Sequence, residues 1–505
     1  MLAGITVAAL AVGSAAPPPQ ALVRETVTDE GLRIWSFPDD GGDRFLLMVL
    51  VGSGSRHEDP PGTGVAHLLE HVLLESTELR SDRELNRALE QRGGTFNGYT
   101  TQEVTTYHVE CRPDDWEFAV EWLAEHLVTP GFDPDDFASE RSIVYEEVRA
   151  REPHAGSSTL GEHLYPEHPL GASVGGDKAG IRRLQVADLR TFFAAHYRAP
   201  NMAVGFAGRV DADTVTESIR RAFAGLPAGG EVASIDPVEP RTGRKLVGSA
   251  DRLDRPGWIY AGYHLPAGGA RETAMQMLIA RYLATRVFEE VREARQLSYG
   301  PGARLAQYFD TSRLELHVEV SDARKLPTVR EVLDGLSAEL GDPDAATLDS
   351  AARSAVTAFD ASSASDLGDA MELAWRMRRA GSSPSDLQRA LARFDPDDVA
   401  RYAETHLVPE RSFTVASAPV GGEGAPLFAV LLGVVLLFVV VDGARGFPVI
   451  DSIRRRGVRL PALSRGGETA KPARRPDVIR PVHVDDLERS IQDYFADEDR
   501  RDEKR

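Results

Sequence analysis

Residues 64–74, GVAHLLEHVLL, form the stretch around which the rest of the chain is organised. The stretch contains no Pro, and no Gly after its first residue, so its good helix formers predict a helix. His67 and His71 are four residues apart and therefore lie on one face, about 6 Å apart along the axis. Glu70 lies three residues after His67, which places the three polar groups within roughly 100° of arc. The remaining positions are aliphatic, so we expect this helix to be buried.

Two imidazoles at this spacing can bind one metal ion, and neutral imidazoles suit zinc. A carboxylate beside them can act as a general base toward water. We therefore predict a Zn²⁺ site, one per chain, with His67 and His71 as ligands and Glu70 as the catalytic base. The alternative is a partly buried helix with two structural histidines. A chance His-x-x-Glu-His is expected well under once in a chain of 505 residues, which favours the metal site.

A catalytic zinc site needs a third protein ligand and an open position for water. No other histidine has a context that suggests a ligand, which leaves a carboxylate on a separate helix. Residues 134–151 predict such a helix, and its apolar face consists of Phe137, Ile143, Val144 and Val148. Glu147 points toward this face, as does Glu140 two turns earlier. We predict that Glu147 is the third ligand and that Glu140 supports the site from behind it. The alternative is that both belong to a solvated stripe.

The composition excludes several classes of protein. A chain of 505 residues is long enough for two or three domains, and a net charge of −20 argues against nucleic acid as a partner. The single cysteine, Cys111, excludes an intrachain disulfide framework and a Cys-rich metal site. It ends a strand-like run, where we expect a buried and unreactive thiol.

Two segments suggest a membrane protein. Residues 1–16 are apolar and end in small residues, which resembles a signal peptide, although no Lys or Arg precedes the apolar part. Residues 426–441, PLFAVLLGVVLLFVVV, carry no charge and are near the short limit for a transmembrane helix; a buried core helix is the alternative. Arginines follow this segment, which predicts that residues 442–505 are cytoplasmic. These residues are rich in charge and poor in apolar side chains, which predicts a mostly disordered tail. The protein is thus predicted to be a single-pass cell-membrane protein with its catalytic domains extracytoplasmic.

The pattern of strands and helices in residues 22–234 recurs in residues 245–419, which predicts two similar α+β halves in tandem. The segment 225–244, which contains Pro and Gly, is the predicted linker. The second half contains no His-x-x-Glu-His. Strands are predicted at residues 32–38, 45–52, 105–111, 202–207, 258–263 and 313–320, and helices at 81–92, 113–128, 134–151, 187–196, 272–293, 326–340 and 344–361.

An inverted His-x-x-Glu-His, followed about 75 residues later by Glu147, resembles the pitrilysin (M16) family of zinc metallopeptidases, which includes insulin-degrading enzyme and mitochondrial processing peptidase. The resemblance covers roughly residues 25–418. Three further segments are similar to the family: GSRHE (54–58), GTFNGYT (94–100) and HYRAPNM (196–202). In the second half, VREARQLSY (291–299) resembles its substrate-binding segment, in which Arg292 and Tyr299 match the key pair.

The resemblance implies a zinc metalloendopeptidase with two M16-type α/β-sandwich domains that hydrolyses peptides or unfolded protein segments. Arg292 and Tyr299 are implied to bind the substrate backbone, and the strand at Asn97 could pair with an extended peptide. The length is similar to the short subfamily, in which two chains close like a clamshell; this implies a homodimer in which Arg292 and Tyr299 face the partner's zinc.

Two departures from the family pattern affect substrate preference rather than chemistry. Gln296 replaces the usual Gly, and the turn Glu75-Ser76-Thr77 replaces a Lys-Gly-Thr-like turn. Two other functions compete with the peptidase: a non-catalytic, membrane-anchored M16-like scaffold or partner-binding subunit, and a non-peptidase hydrolase with the same zinc site. The presence of every motif residue favours the peptidase.

Overall fold

The computed structural model describes residues 23–37, 42–151, 156–166, 168–229, 238–248, 257–356 and 363–418. The predicted signal peptide, the predicted membrane segment at 426–441 and the predicted tail at 442–505 lie outside these ranges. Inside them, every helix is too short or too polar to cross a bilayer.

The first half is built on a six-stranded sheet with helices before and after its central strands. The strands are β1 (Arg24–Val27), β2 (Arg33–Ser36), β3 (Phe45–Val51), β4 (Thr95–Thr100), β5 (Thr105–Cys111) and β6 (Met202–Ala207). The helices are α1 (Val65–Leu73), α2 (Asp82–Glu90), α3 (Trp116–Val128), α4 (Pro134–Arg151), α5 (Gly156–Leu164), α6 (Lys178–Arg183), α7 (Val186–His196) and α8 (Ala212–Ala222). The strand order is β1-β2-β6-β3-β5-β4.

The second half is built on a five-stranded sheet. Its strands are β7 (Gly243–Gly248), β8 (Gly257–Pro266), β9 (Gly302–Gln307), β10 (Thr311–Val320) and β11 (Ser412–Ala418). Its helices are α9 (Ala270–Val287), α10 (Leu326–Glu339), α11 (Ala345–Val356), α12 (Ala364–Arg379), α13 (Pro384–Leu391) and α14 (Pro396–His406). The order is β7-β11-β8-β10-β9.

The two sheets have the same topology. The order β7-β11-β8-β10-β9 repeats β2-β6-β3-β5-β4 strand by strand. In each sheet the first two strands of this series are parallel and the other neighbours are antiparallel. The prediction of two similar α+β halves in tandem is therefore confirmed.

Each half covers one face of the other half's sheet. Strand β3 is buried along its whole length, as expected for a strand covered on both faces. One face of the first sheet packs on α1 and α3 of the first half, and α4 packs on α1. The other face packs on α12, where Met371 and Trp375 share one buried cluster with Met48 and Leu50 of β3. In return, α5 packs against β11 of the second sheet. The halves therefore share cores and support each other directly.

The helix predicted at residues 272–293 changes type along its length. Its α-helical part ends at Val287, and residues Phe288–Ala294 continue as a π-helix. A π-helix adds a residue per turn and is common at functional sites. This turn carries Arg292, so the geometry of the predicted substrate-binding segment differs from that of a regular helix.

Candidate metal centre

A buried carboxylate fixes the start of α1. Glu58 accepts hydrogen bonds from the backbone N–H groups of Gly64 and Ala66, at 3.0 and 3.1 Å, and from Thr63 Oγ1 at 3.1 Å. These include N–H groups at the helix start that the helix cannot satisfy itself. Burial raises the pKa of Glu58 to about 7, although the three hydrogen bonds favour its charged form. Glu58 thereby sets the position of the helix that carries the histidines.

The two histidines of α1 meet a carboxylate from α4. His67, His71 and Glu147 each offer one ligand atom, and these atoms lie within 4.8 Å of one another. His67 Nε2 lies 3.9 Å from Glu147 Oε2. Among the residues described above, no other group of three or more His, Cys, Asp or Glu side chains could hold a metal ion. Two imidazoles and one carboxylate are the donor set of a catalytic zinc site, so these residues fit zinc.

Glu140 orients one of the histidines. Its Oε2 lies 3.0 Å from His71 Nδ1. When Nδ1–H donates this bond, Nε2 of the same ring is left to bind a metal, as in carboxylate–histidine–zinc sites. Burial opposes a charged imidazole, but the Glu140 hydrogen bond and the charges of Glu70 and Glu147 outweigh it and raise the pKa of His71. Protons and a metal ion therefore compete for the His71 ring, and a lower pH favours the proton.

Helix α4 presents its carboxylates at the edge of its apolar face. Val144 and Val148 are buried, whereas Ile143 is 46% exposed, so the prediction that Ile143 belongs to the buried face was wrong. Ile143 lies about 40° beyond Glu147 on the side away from Val144, which takes it out of the core. Glu146, about 100° from Glu147, is exposed and pairs with Arg149 at 2.5 Å.

The predicted base is held by the neighbouring strand. Glu70 is buried, and its Oε2 accepts a hydrogen bond from Thr100 Oγ1 of β4 at 2.9 Å. A Cβ atom at Gly98 of the same strand would lie 2.9 Å from Glu70 Oε1. Only glycine lets the strand pass this close to the carboxylate. Sequence reasoning did not identify Gly98 or Thr100 as contacts of Glu70, although both lie within the segment GTFNGYT.

Strand β4 is also the outermost strand of its sheet, next to β5. Asn97 is exposed on it, and its Oδ1 accepts a hydrogen bond from the N–H of Gly98 at 2.9 Å. An outermost strand offers backbone groups to an extended peptide. The strand that contacts Glu70 is thus also a strand at which an extended peptide could pair.

Arg292 and Tyr299 contact each other on the second half. The Arg292 guanidinium lies 4.3 Å from the centre of the Tyr299 ring, and Tyr299 is 83% exposed. Within the described ranges, no hydrogen bond, ion pair or ring contact joins either residue to the metal-binding group. Gln296, between them, has φ +51°, the left-handed conformation that favours glycine.

Cys111 takes no part in this site. It is buried, and burial raises the pKa of its thiol to about 12, so the thiolate that would bind a metal or attack a substrate is suppressed.

Comparisons with known proteins agree with this architecture. Residues 37–178 match the family description Insulinase (Peptidase family M16), and residues 183–354 match Peptidase M16 inactive domain. An uncharacterized zinc protease of Mycobacterium tuberculosis is 29% identical, over 64% of this chain and 76% of its own length. One from Streptomyces coelicolor is 30% identical, over 55% and 63%.

The fold is also similar to that seen in the crystal structure of a protease from Helicobacter pylori. That structure is similar with a TM-score of 0.66 and 21% identity, over 79% of this chain and 99% of the other. The two matched family descriptions together cover more than half of the chain. The second match, described as an inactive domain, lies mainly in the second half, which contains no His-x-x-Glu-His. The chain belongs to the M16 family of zinc protease-like proteins.

Proposed function

We propose that this protein is a zinc-dependent endopeptidase, with one zinc ion per chain, that hydrolyses peptides or unfolded protein segments. The observation that carries the proposal is the arrangement of Glu70. Its carboxylate is buried beside His67 and His71, and a hydrogen bond from Thr100 of the outermost strand holds it. A site that only stored zinc would need no such carboxylate beside its ligands.

His67, His71 and Glu147 would hold the ion, with Glu140 fixing the ring of His71. Zinc, when bound, supplies a Lewis acid that polarises a peptide carbonyl and lowers the pKa of water. Glu70 takes a proton from the attacking water and delivers it to the leaving amine. Burial of Glu70 keeps its carboxylate in a medium of low dielectric constant, and Thr100 keeps one of its oxygens in a fixed position.

The proposed substrate is an extended chain rather than a folded protein. Backbone groups of β4 would pair with the substrate as a further strand, which requires a segment without secondary structure of its own. Asn97 lies exposed on this strand. The geometry therefore favours short peptides and unfolded segments.

We also propose a homodimer in which Arg292 and Tyr299 of one chain bind substrate at the metal site of the partner chain. The exposure of Tyr299, and the lack of a direct contact between this pair and the metal-binding group within the described ranges, support the proposal. Mixing Glu70→Gln chains with Arg292→Ala chains should restore part of the activity, because one site of the mixed dimer has both residues intact. If no mixture is more active than the separate variants, active sites shared between two chains are ruled out.

From the sequence alone we further propose that residues 426–441 anchor the protein in the cell membrane, with the catalytic domains outside the cytoplasm. The uncharged segment and the arginines after it support this location. A chain ending at residue 420 should leave the membrane fraction. If the truncated chain remains there, residues 426–441 are not the anchor.

The function is tested by digestion of a peptide library with apoprotein, with zinc-loaded protein and with two variants. Glu147→Gln removes a ligand carboxylate and should abolish cleavage and zinc binding. Glu146→Gln removes the neighbouring exposed carboxylate and should change neither. Zinc binding without any cleavage by the wild-type protein would favour the non-catalytic scaffold, and hydrolysis of esters without peptides would favour the other hydrolase.

A further inference from the structure

A buried cluster of charges joins the two halves close to the metal centre. Arg56, whose side chain is 2% exposed, contacts Glu103 of the first half at 2.6 Å. The same guanidinium makes two parallel hydrogen bonds, of 2.8 and 2.7 Å, to Asp310 in the turn between β9 and β10 of the second half. Paired hydrogen bonds of this kind fix orientation as well as distance. The backbone N–H of Phe309 donates to Glu103, at 3.0 Å to each oxygen.

Two short segments of the chain connect this cluster to the metal centre. Arg56 is two residues before Glu58, the carboxylate that fixes the start of α1. Glu103 lies in the turn after β4, three residues beyond Thr100, which donates to Glu70. The backbone N–H of Arg56 also donates to the carbonyl of Gln102 at 2.7 Å, so a hydrogen bond joins these two segments.

We propose that Asp310 is a positioning residue for the metal site, through which the second half holds both α1 and β4 in place. Asp310 touches no reacting group; it acts through Arg56. The proposal goes beyond the catalytic assignment, and its importance for catalysis rests on the proposed function. It assigns a role to the half that has no metal motif of its own.

The physical basis is the burial of Arg56. Without the Asp310 carboxylate the guanidinium loses a pair of charge-assisted hydrogen bonds, and the loss of a charged partner is costly for a buried charge. Movement of Arg56 shifts the segment 54–58 and with it Glu58. The N–H groups of Gly64 and Ala66 then lose a fixed acceptor, and the first turn of α1 frays. His67 is the third residue of α1 and lies in this turn, so metal affinity should fall.

The test compares Asp310→Asn with a matched control. Glu25→Gln also weakens an ion pair between the halves, because Glu25 of β1 pairs with Arg378 of α12, but this pair lies in no segment that leads to α1. We expect Asp310→Asn to speed amide exchange at the start of α1, residues 63–68, at least tenfold, while α8 and α10 exchange as in the wild type. Zinc affinity, measured by competition with a chelator, should fall about tenfold, as for other residues that orient metal ligands.

Asp310→Glu keeps the charge and should restore much of the zinc affinity, and Glu25→Gln should change neither measurement. Unchanged exchange and zinc affinity in Asp310→Asn would overturn the proposal, and so would equal effects of Asp310→Asn and Glu25→Gln. If exchange rises throughout the molecule, Asp310 serves stability alone and the positioning role is wrong. Neither measurement uses a peptide substrate, so an inactive wild-type protein would refute the proposed function and leave this inference standing.

Discussion

Adding one methyl group at Gly98 should move the catalytic carboxylate without removing it. In Gly98→Ala the new Cβ would lie 2.9 Å from Glu70 Oε1 and 3.0 Å from its Cγ. Unstrained contacts of this kind are about 3.5 Å, so the end of the Glu70 side chain must move by roughly 0.5 Å. A displacement of 1 Å in an active site can cost about 100-fold, so we expect kcat to fall roughly tenfold.

The assay follows kcat on a peptide substrate together with zinc content and thermal unfolding. Zinc content should not change, because the three atoms nearest to the new methyl group all belong to Glu70, which is not a proposed ligand. The free energy of unfolding should fall by at most about 3 kcal/mol, the value of one hydrogen bond to a charged group. Gly335→Ala is the control, since a Cβ at Gly335 would have no neighbour within 4 Å. Full kcat in Gly98→Ala would refute the claim that β4 positions Glu70.

Three further changes test separate parts of the account. Glu140→Gln should weaken zinc binding about 10- to 100-fold in a chelator competition, because the carboxylate that orients His71 is lost; unchanged affinity would contradict the assigned role. Gln296→Gly should leave the melting temperature unchanged or slightly higher, since relief of the left-handed conformation offsets the flexibility of glycine. In contrast, Glu121→Gly, at an exposed position of helix α3, should cost about 1 kcal/mol. Glu58 has a raised pKa, so the stability it contributes is present below pH 4.5 and is lost as the pH rises through about 7. Between pH 5 and 8, Glu58→Gln should therefore gain stability relative to the wild type by up to about 3 kcal/mol in chemical denaturation, and a pH-independent difference would contradict this.

The three side chains that meet between α1 and α4 could be named from the sequence because their faces depend on local helix geometry. The spacing of His67 and His71 defines one face of one helix, and the face of Glu147 follows from the same periodicity. The period locates the centre of an apolar stripe but not its width, which is why Ile143 was assigned to the core. Repetition of strands and helices was sufficient to predict two similar halves.

The supporting contacts could not be predicted, because they depend on pairing between distant segments. Thr100 and Gly98 reach Glu70 only through the register of β4 against β5. Arg56 meets Asp310 across 254 positions of sequence, and nothing local to either residue indicates the other. The packing of α5 on the second sheet, and of α12 on the first, likewise depends on contacts between distant segments.

The central claim is that Glu70 acts as the base of a zinc peptidase, and the most direct test is Glu70→Gln. Glutamine preserves the size of the side chain and an oxygen that can accept from Thr100, but it cannot accept a proton from water. We predict that the variant binds zinc as the wild type does and cleaves no peptide of the library. A variant that binds zinc and keeps full activity would contradict the mechanism.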